Sequence, residues 1–424
     1  MIEFLLKGIM RDKNRSQLPI IIVAIGVMLT VMLSGYIRGA MGDMIDLNAR
    51  FETGHVKVMS QAYFDNASQL PNDLALLDAH KTVEHLKTDY SSITWVERIK
   101  FGGLLDVPDE NGETVGQGPG AGMALDLLHQ ESGEIDRMNI ESALVEGTVP
   151  QQPGHAIIGY DFATRLNLKP GDDITFFGST MNGSMTFKNF KVAGLIKFGT
   201  PSMDRGAFIV DISDAREMLD MDDAVGEILG FLPNETYVDE EAKALTASFN
   251  EKYMDKADEY SPVMVPLSGQ AGLGSYLEYV DVFSFLFVGI FVFAMSIVLW
   301  NTGLLGGLRR YKEFGIRLAL GESKGKIYRS LLAEALLIGF IGSFIGTLIG
   351  LGVTYYMQVV GIDISDMLAN ITMMMPSVLR SKFSPELLYI GFIPGVLAMV
   401  VGNMLSGIGI YQRETAQLFK ELEV

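Results

Sequence analysis

The stretch VFSFLFVGIFVFAMSIVLWNTGLLGGL, residues 282–308, contains no charged residue and ends at Arg309 and Arg310. Roughly 20 apolar helical residues cross the hydrocarbon core of a bilayer, so this segment is predicted to span a membrane. Residues 17–37, 330–362 and 387–412 have the same character. Glu334 is the one charged side chain in them, and it sits near an end, where the cost is well below the roughly 2.5–3.5 kcal/mol expected at the bilayer centre. Four transmembrane helices are therefore expected, one before and three after a long polar segment. The boundaries read as 17–41 for the first helix, 277–308 for the second, 330–362 for the third and 387–412 for the fourth.

Lysine and arginine beside the spans set the orientation, because basic short segments stay in the cytoplasm. Lys7, Arg11, Lys13 and Arg15 precede the first span; Arg309, Arg310, Lys312, Arg317, Lys324, Lys326 and Arg329 fill the segment 309–329. Both are placed inside, and so is the tail, residues 413–424. Residues 42–276 and 363–386 then face outward. The chain carries 33 Lys and Arg against 51 Asp and Glu, a net charge of −18. Residues 42–276 hold 17 of those bases and 38 of those acids, a net of −21, so the acidity belongs to a water-soluble exterior domain. Nucleic acid is not an expected partner of such a surface. The first span runs longer than a signal-peptide core and reaches Arg38 without a small-x-small cleavage site, so it reads as a retained anchor. Residues 1–16 alternate Phe4, Leu5, Ile9 and Met10 with Lys7 and Arg11, the pattern of an interfacial helix.

The exterior domain reads as α+β. Strands are expected at residues 55–59, 93–96, 174–177, 190–196 and 207–211, with an amphipathic helix over 74–86 and a turn at Lys169-Pro170-Gly171-Asp172-Asp173. The glycine-rich residues 112–122 read as an exposed loop. Two lobes are expected, the second an insert over about residues 101–199. Glu278 and Asp281 are expected in the first turn of the second span, where carboxylates face the positive helix end.

Much chemistry is excluded. The chain has no Cys, hence no disulfide, thiol nucleophile or cysteine zinc site. His80 and His85 are five apart, on different faces of a helix rather than at the i, i+4 spacing of zincins, so no metal site is expected. Gly321-Glu322-Ser323-Lys324-Gly325-Lys326-Ile327 imitates a phosphate-cradling loop but is one residue short and lacks the hydroxyl that holds Mg²⁺. Leu267-Ser268-Gly269-Gln270 imitates an ABC signature on the exterior side. No catalytic residue is assigned, and the chain is not read as an enzyme.

Gly342, Gly346 and Gly350 line one face of the third span and are expected to pack closely on another helix. Tyr276, Tyr279, Phe283, Phe287 and Phe291 form an aromatic stripe on the second span. Packing is its ordinary use; lining a cargo cavity open to the outer leaflet is the functional one. Met367, Met373, Met374 and Met375 form a flexible apolar cluster before the fourth span.

Residues 312–352, KEFGIRLALGESKGKIYRSLLAEALLIGFIGSFIGTLIGLG, resemble the FtsX-like permease domain of ABC transporters. Its cytoplasmic segment, an acidic residue and a hydrophobic one followed by G-I-R-x-A, a hydrophobic residue and G-A, leads into a glycine-rich third helix. Glu313, Phe314, Gly315, Ile316, Arg317, Ala319, Leu320 and Gly321 match it; Glu322 departs where Ala is common. In the exterior domain GHVKVMSQAYFD (54–65), LNLKPGDDITFFG (166–178) and DRGAFIVDISDAREMLDMDDAVGEI (204–228) look like the MacB and LolC/LolE type, and the first most like lipoprotein-releasing permeases.

The resemblance implies a permease dimer, homo- or heteromeric, on two separate ABC ATPase subunits that bind the ATP and Mg²⁺; no cofactor is expected on this chain. It implies a bacterial inner membrane, a periplasmic exterior domain, lipoprotein or lipid cargo taken from the outer leaflet, and room for a periplasmic acceptor. Alternatives are MacB-like export of peptides or amphiphilic small molecules, and FtsX-like signalling to a cell-wall hydrolase. The eight matching residues would couple to the ATPase, with Phe314, Ile316 and Leu320 entering its groove and Glu313 and Arg317 pairing at the rim.

Overall fold

The computed structural model describes residues 13–109, 111–199, 201–270, 272–309, 311–363 and 378–412. Residues 1–12 of the expected interfacial helix, the methionine cluster at 367–375 and the tail at 413–424 lie outside them. The described chain forms two compact units. One is helical and takes residues up to 42, then 278–363 and 378–412; the other takes residues 43–277. The helices that matter are α1 (Lys13–Asn48), α2 (Ala79–Asp89), α3 (Asp239–Tyr253), α4 (Leu273–Arg309), α5 (Tyr311–Ala319), α6 (Lys324–Val359) and α7 (Leu387–Gln412).

The strands of residues 43–277 are β1 (Val56–Ser60), β2 (Leu76–Leu77), β3 (Thr94–Pro108), β4 (Thr114–Leu125), β5 (Leu144–Gly147) and β6 (His155–Gly159). They continue as β7 (Asp173–Ser179), β8 (Met185–Ile196), β9 (Ala207–Asp211), β10 (Ala224–Val225), β11 (Glu227–Phe231) and β12 (Pro262–Pro266). Strands β12, β1, β11 and the first half of β3 pair antiparallel in that order. The second half of β3 pairs with β4 and β7. From there β4 pairs with β9, β9 with β6, β6 with β8 and β8 with β7. Those six pairings close a ring, and closure removes the open edges that a sheet otherwise exposes. The expected insert over 101–199 omits β9, which the ring takes from beyond it, and β3 runs unbroken through both groups of strands.

A small barrel is filled by its own side chains. Phe101 stands edge-on to Phe176 and Phe208, with ring centroids 5.2 and 5.5 Å apart, and all three are buried with Leu105, Ile174 and Phe190. Each such ring contributes roughly 1.5–3 kcal/mol by leaving water.

Residues 112–122 are not a loop: they make up most of β4. Alternate positions Gly118, Gly120 and Gly122 are buried. A Cβ at Gly122 would stand 2.3 Å from the Phe101 ring, and one at Gly120 would stand 2.8 Å from Leu105 Cγ. The glycines leave room for the barrel's large side chains, and that packing outweighs their poor strand propensity. The amphipathic helix begins at Ala79 rather than 74 because Leu76 and Leu77 form a short ladder with β10 and Asp78 turns left-handed, φ 52°. Likewise α4 begins at Leu273, after Gly272 at φ 73°. Glu278 and Asp281 therefore lie in its second and third turns, beyond the first turn where the terminal dipole acts.

Charge is buried in pairs in this unit. Arg98 and Glu134, both fully buried, meet in a two-pronged bridge of 2.8 and 3.2 Å. Glu227 lies between Lys57 at 2.9 Å and Lys100 at 3.1 Å, and Lys100 also reaches Glu52 at 2.6 Å. Burial tends to raise the Glu227 pKa, but Lys100 and Lys57 outweigh it and hold the carboxyl below its usual range.

Among the described residues, three helices are long and apolar enough to cross a membrane: residues 16–53, Lys324–Val359 and Leu387–Leu405; α4 adds the apolar stretch Phe285–Asn301. Val23, Val27 and Val31 of α1 are buried with Met295 and Leu299 of α4, Ala335 and Ile338 of α6, and Ala398 and Met399 of α7.

Candidate functional site

The segment after α4 is built by a helix that stops itself. Glycine at position 321 takes φ +89°, the left-handed conformation that costs glycine no Cβ clash. Its N–H donates to the Leu318 carbonyl at 3.0 Å, and the Glu322 N–H donates to the Arg317 carbonyl at 3.0 Å. This is the Schellman pair of bonds that satisfies orphan carbonyls at a helix end. Ser323 is extended, ψ 147°, and α6 starts at Lys324. Gly321 to Ile327 is thus a helix end followed by a helix start.

The nine-residue α5 divides its apolar side chains between two uses. Leu318 packs on the buried Ile327 of α6, as does Leu331. Ile316 and Leu320, one turn apart, are 60% and 82% exposed. Arg317 is half-buried and engaged, Ala319 is exposed and Gly315 is buried. Glu313 and Phe314 lie on the same helix, with side chains outside the described residues. Two large apolar side chains held in water by a short, self-capped helix give a rigid knob that gains by being covered.

Gly342, Gly346 and Gly350 come together on α1. A Cβ at Gly342 would stand 2.8 Å from Val23 Cβ, at Gly346 2.4 Å from the Ala24 carbonyl oxygen, and at Gly350 2.9 Å from Val31 Cβ. Gly391 and Gly395 of α7 abut Val31 and Val27 in the same way. The stripe on α4 is left open within the chain: Tyr279, Phe283 and Phe287 are exposed and Phe291 is half-buried, while Tyr276's side chain lies outside the described residues. In α2, His80 Nδ1 lies 2.6 Å from Asp223, and His85 stacks on Tyr253 at 5.9 Å. Among the described residues no three metal-ligating side chains gather.

Sequence reasoning passed over one feature, an open cavity of about 580 Å³ beside β4 and β9. Its signal was the glycine-rich stretch itself, which becomes visible as a wall only once β4 is known to be a strand.

Comparison with known proteins is consistent with this geometry. Residues 285–415 match the FtsX-like permease C-terminal domain. Residues 17–248, more than half the chain, match the MacB-like periplasmic core domain. Curated proteins give no match. Among solved structures, the periplasmic region of MacB from Actinobacillus actinomycetemcomitans aligns at 12% identity over 53% of this chain and 94% of that one. Its TM-score is 0.36, and at that score the likeness adds nothing to the reading of the site. The first match takes in most of α4 with α5, α6 and α7, and the second takes in most of α1 and of the strand-rich unit: the chain belongs to the FtsX-like permeases that carry a MacB-like periplasmic core domain.

Proposed function

We propose that this chain is the permease subunit of an ABC transporter that extracts lipoproteins or lipids from the outer leaflet of the inner membrane. It would cross the membrane four times with both termini inside and pair with a second permease. Two ABC ATPase subunits would supply the ATP and Mg²⁺ chemistry. The observation that carries the reading is the exposed pair Ile316, on self-capped α5, and Leu320, just past its end. An apolar knob of this kind suits a groove on a partner protein, with Glu313 and Arg317 at its rim. The exposed aromatics Tyr279, Phe283 and Phe287 support the cargo half of the proposal, as a face able to meet acyl chains.

The test is native mass spectrometry of the tagged chain from its own membranes. Two ATPase copies and an acylated protein are expected; an ATPase with a bound hydrolase or export adaptor and no lipid would replace the cargo assignment. Ile316→Asp with Leu320→Asp should abolish ATPase co-purification. Phe283→Asp or Phe287→Asp should stop release and leave basal ATP hydrolysis intact. Retained ATPase in the first variant would overturn the docking assignment, and normal release in the second the cavity.

A further inference from the structure

The cavity beside β4 and β9 lies wholly within the strand-rich unit and is assigned no role by the permease reading. Its volume, about 580 Å³, falls within the ~300–1,000 Å³ of small-molecule sites. Pro119, Met123, Phe198 and Met203 supply apolar wall, and Arg165 and Arg205 supply charge. Lys100 and Glu52 also line it, but they are spent on each other at 2.6 Å.

The two arginines differ from every cation in the buried pairs. Arg165 lies over the Phe162 ring at 5.2 Å and reaches across β4 at Gly118, where a Cβ would stand 2.7 Å from its Nη2. Arg205 precedes Gly206, whose carbonyl accepts from the Ala121 N–H at 2.8 Å, so it is anchored to the edge that joins β4 to β9. Both side chains are exposed, and among the described residues neither guanidinium has a carboxylate partner. In a segment of net charge −21, two unspent guanidiniums on an apolar cavity are a local reversal of sign. A guanidinium offers a planar fork of donors that fits a carboxylate or phosphate. The methionines beside it are adaptable apolar surface.

We propose that this cavity binds a single-chain amphiphile with an anionic head, its head on Arg165 and Arg205 and its chain along Met123, Phe198 and Met203. The site stands on the geometry of the strand-rich unit alone and needs no ATPase, so its test succeeds or fails separately from the permease assignment.

The test uses the full chain in phosphatidylcholine nanodiscs with a palmitate analogue bearing a mid-chain diazirine. After irradiation, peptides holding Met123 or Met203 should carry label, and palmitate should displace it where hexadecanol does not. Losing the charge-assisted hydrogen bonds of both guanidiniums, Arg165→Gln with Arg205→Gln should label the cavity about tenfold less. Label on α1 and α6, from probe dissolved in the bilayer, should stay constant and serves as the control for folding. Ala121→Trp, which fills the cavity and keeps both charges, should lower the same label. Label confined to the helices, equal displacement by the alcohol, or cavity label indifferent to all three substitutions would overturn the proposal.

Discussion

The two units of this chain bury polar groups by different rules. In residues 43–277 the buried set includes Lys57, Arg98, Lys100, Glu134, Arg137, Asp211, Asp214 and Glu227. In the helical unit the buried polar residues, among those described, are all hydroxyls: Ser16, Thr30, Ser34, Ser296, Ser343, Thr347, Thr354 and Ser381. A hydroxyl can be satisfied by its own helix, as Thr30 Oγ1 is by the Gly26 carbonyl at 2.8 Å. A charge cannot, and needs a partner fixed by tertiary structure. Cohesion differs in parallel. Water drives aromatic rings into the barrel, whereas between membrane helices lipid is as apolar as leucine and close backbone approach must do the work.

The largest effect should follow from denying that approach. At Gly346 even a Cβ meets the Ala24 carbonyl oxygen at 2.4 Å and Val27 Cβ at 2.8 Å, so Gly346→Leu must push α1 and α6 apart. Its cost should exceed the ~1–3 kcal/mol of ordinary overpacking. Size-exclusion profiles and thermal melts in detergent should show most of the folded protein lost. A stable Gly346→Leu variant would mean that α1 and α6 do not hold the unit together.

The sequence shows these two rules unequally. The uncharged stretch Leu387–Gln412 reads as one long apolar helix, and α7 has those bounds. AFIVD at Ala207–Asp211 reads as a strand and is one, buried at every position. Local signals suffice in both cases. They fail where the reason for a residue lies far along the chain. Arg98 sits in a strand run whose partner Glu134 is 36 residues away, and the glycines of β4 answer to Phe101, Leu105 and Phe162 rather than to their own propensity. The candidate site was legible in part. The FtsX-like resemblance points to Ile316 and Leu320, both of which are exposed, but nothing local reveals that Leu318 packs on α6.

A smaller effect, confined to the other unit, is expected from Glu134→Ala. It strands Arg98 with no carboxylate and also removes the Glu134 bond of Arg137. Removing one partner of a buried pair costs about 3–5 kcal/mol, which hydrogen exchange should register as faster opening of β3 while α6 and α7 are unchanged. Replacing the pair together, Arg98→Met with Glu134→Leu, should recover much of the loss. If the double variant is no better than the single one, Arg98 is needed for more than neutralising Glu134.

Acid should separate the units most simply. His55 is buried; burial first, then Arg137 and Arg50, lowers its pKa from 6.5 to about 4. Its Nδ1 accepts from the Leu232 N–H at 2.9 Å, so the folded state requires that nitrogen unprotonated. A depressed histidine pKa means that the unfolded chain takes up the proton first. The stability tied to neutral His55 is therefore intact above pH 6.5 and is lost as pH falls toward 4, by about 3 kcal/mol in all. No buried ionisable group in the described helical unit imposes a similar loss. Hydrogen exchange at pH 7.5 and 4.5 should show selective loosening around β1 and β11, with α1, α6 and α7 steady after correction for intrinsic rates. His55→Gln should flatten that response. Equal loosening of both units would show that acid acts on something they share, and the division between buried charges and buried hydroxyls would no longer explain how this chain responds to pH.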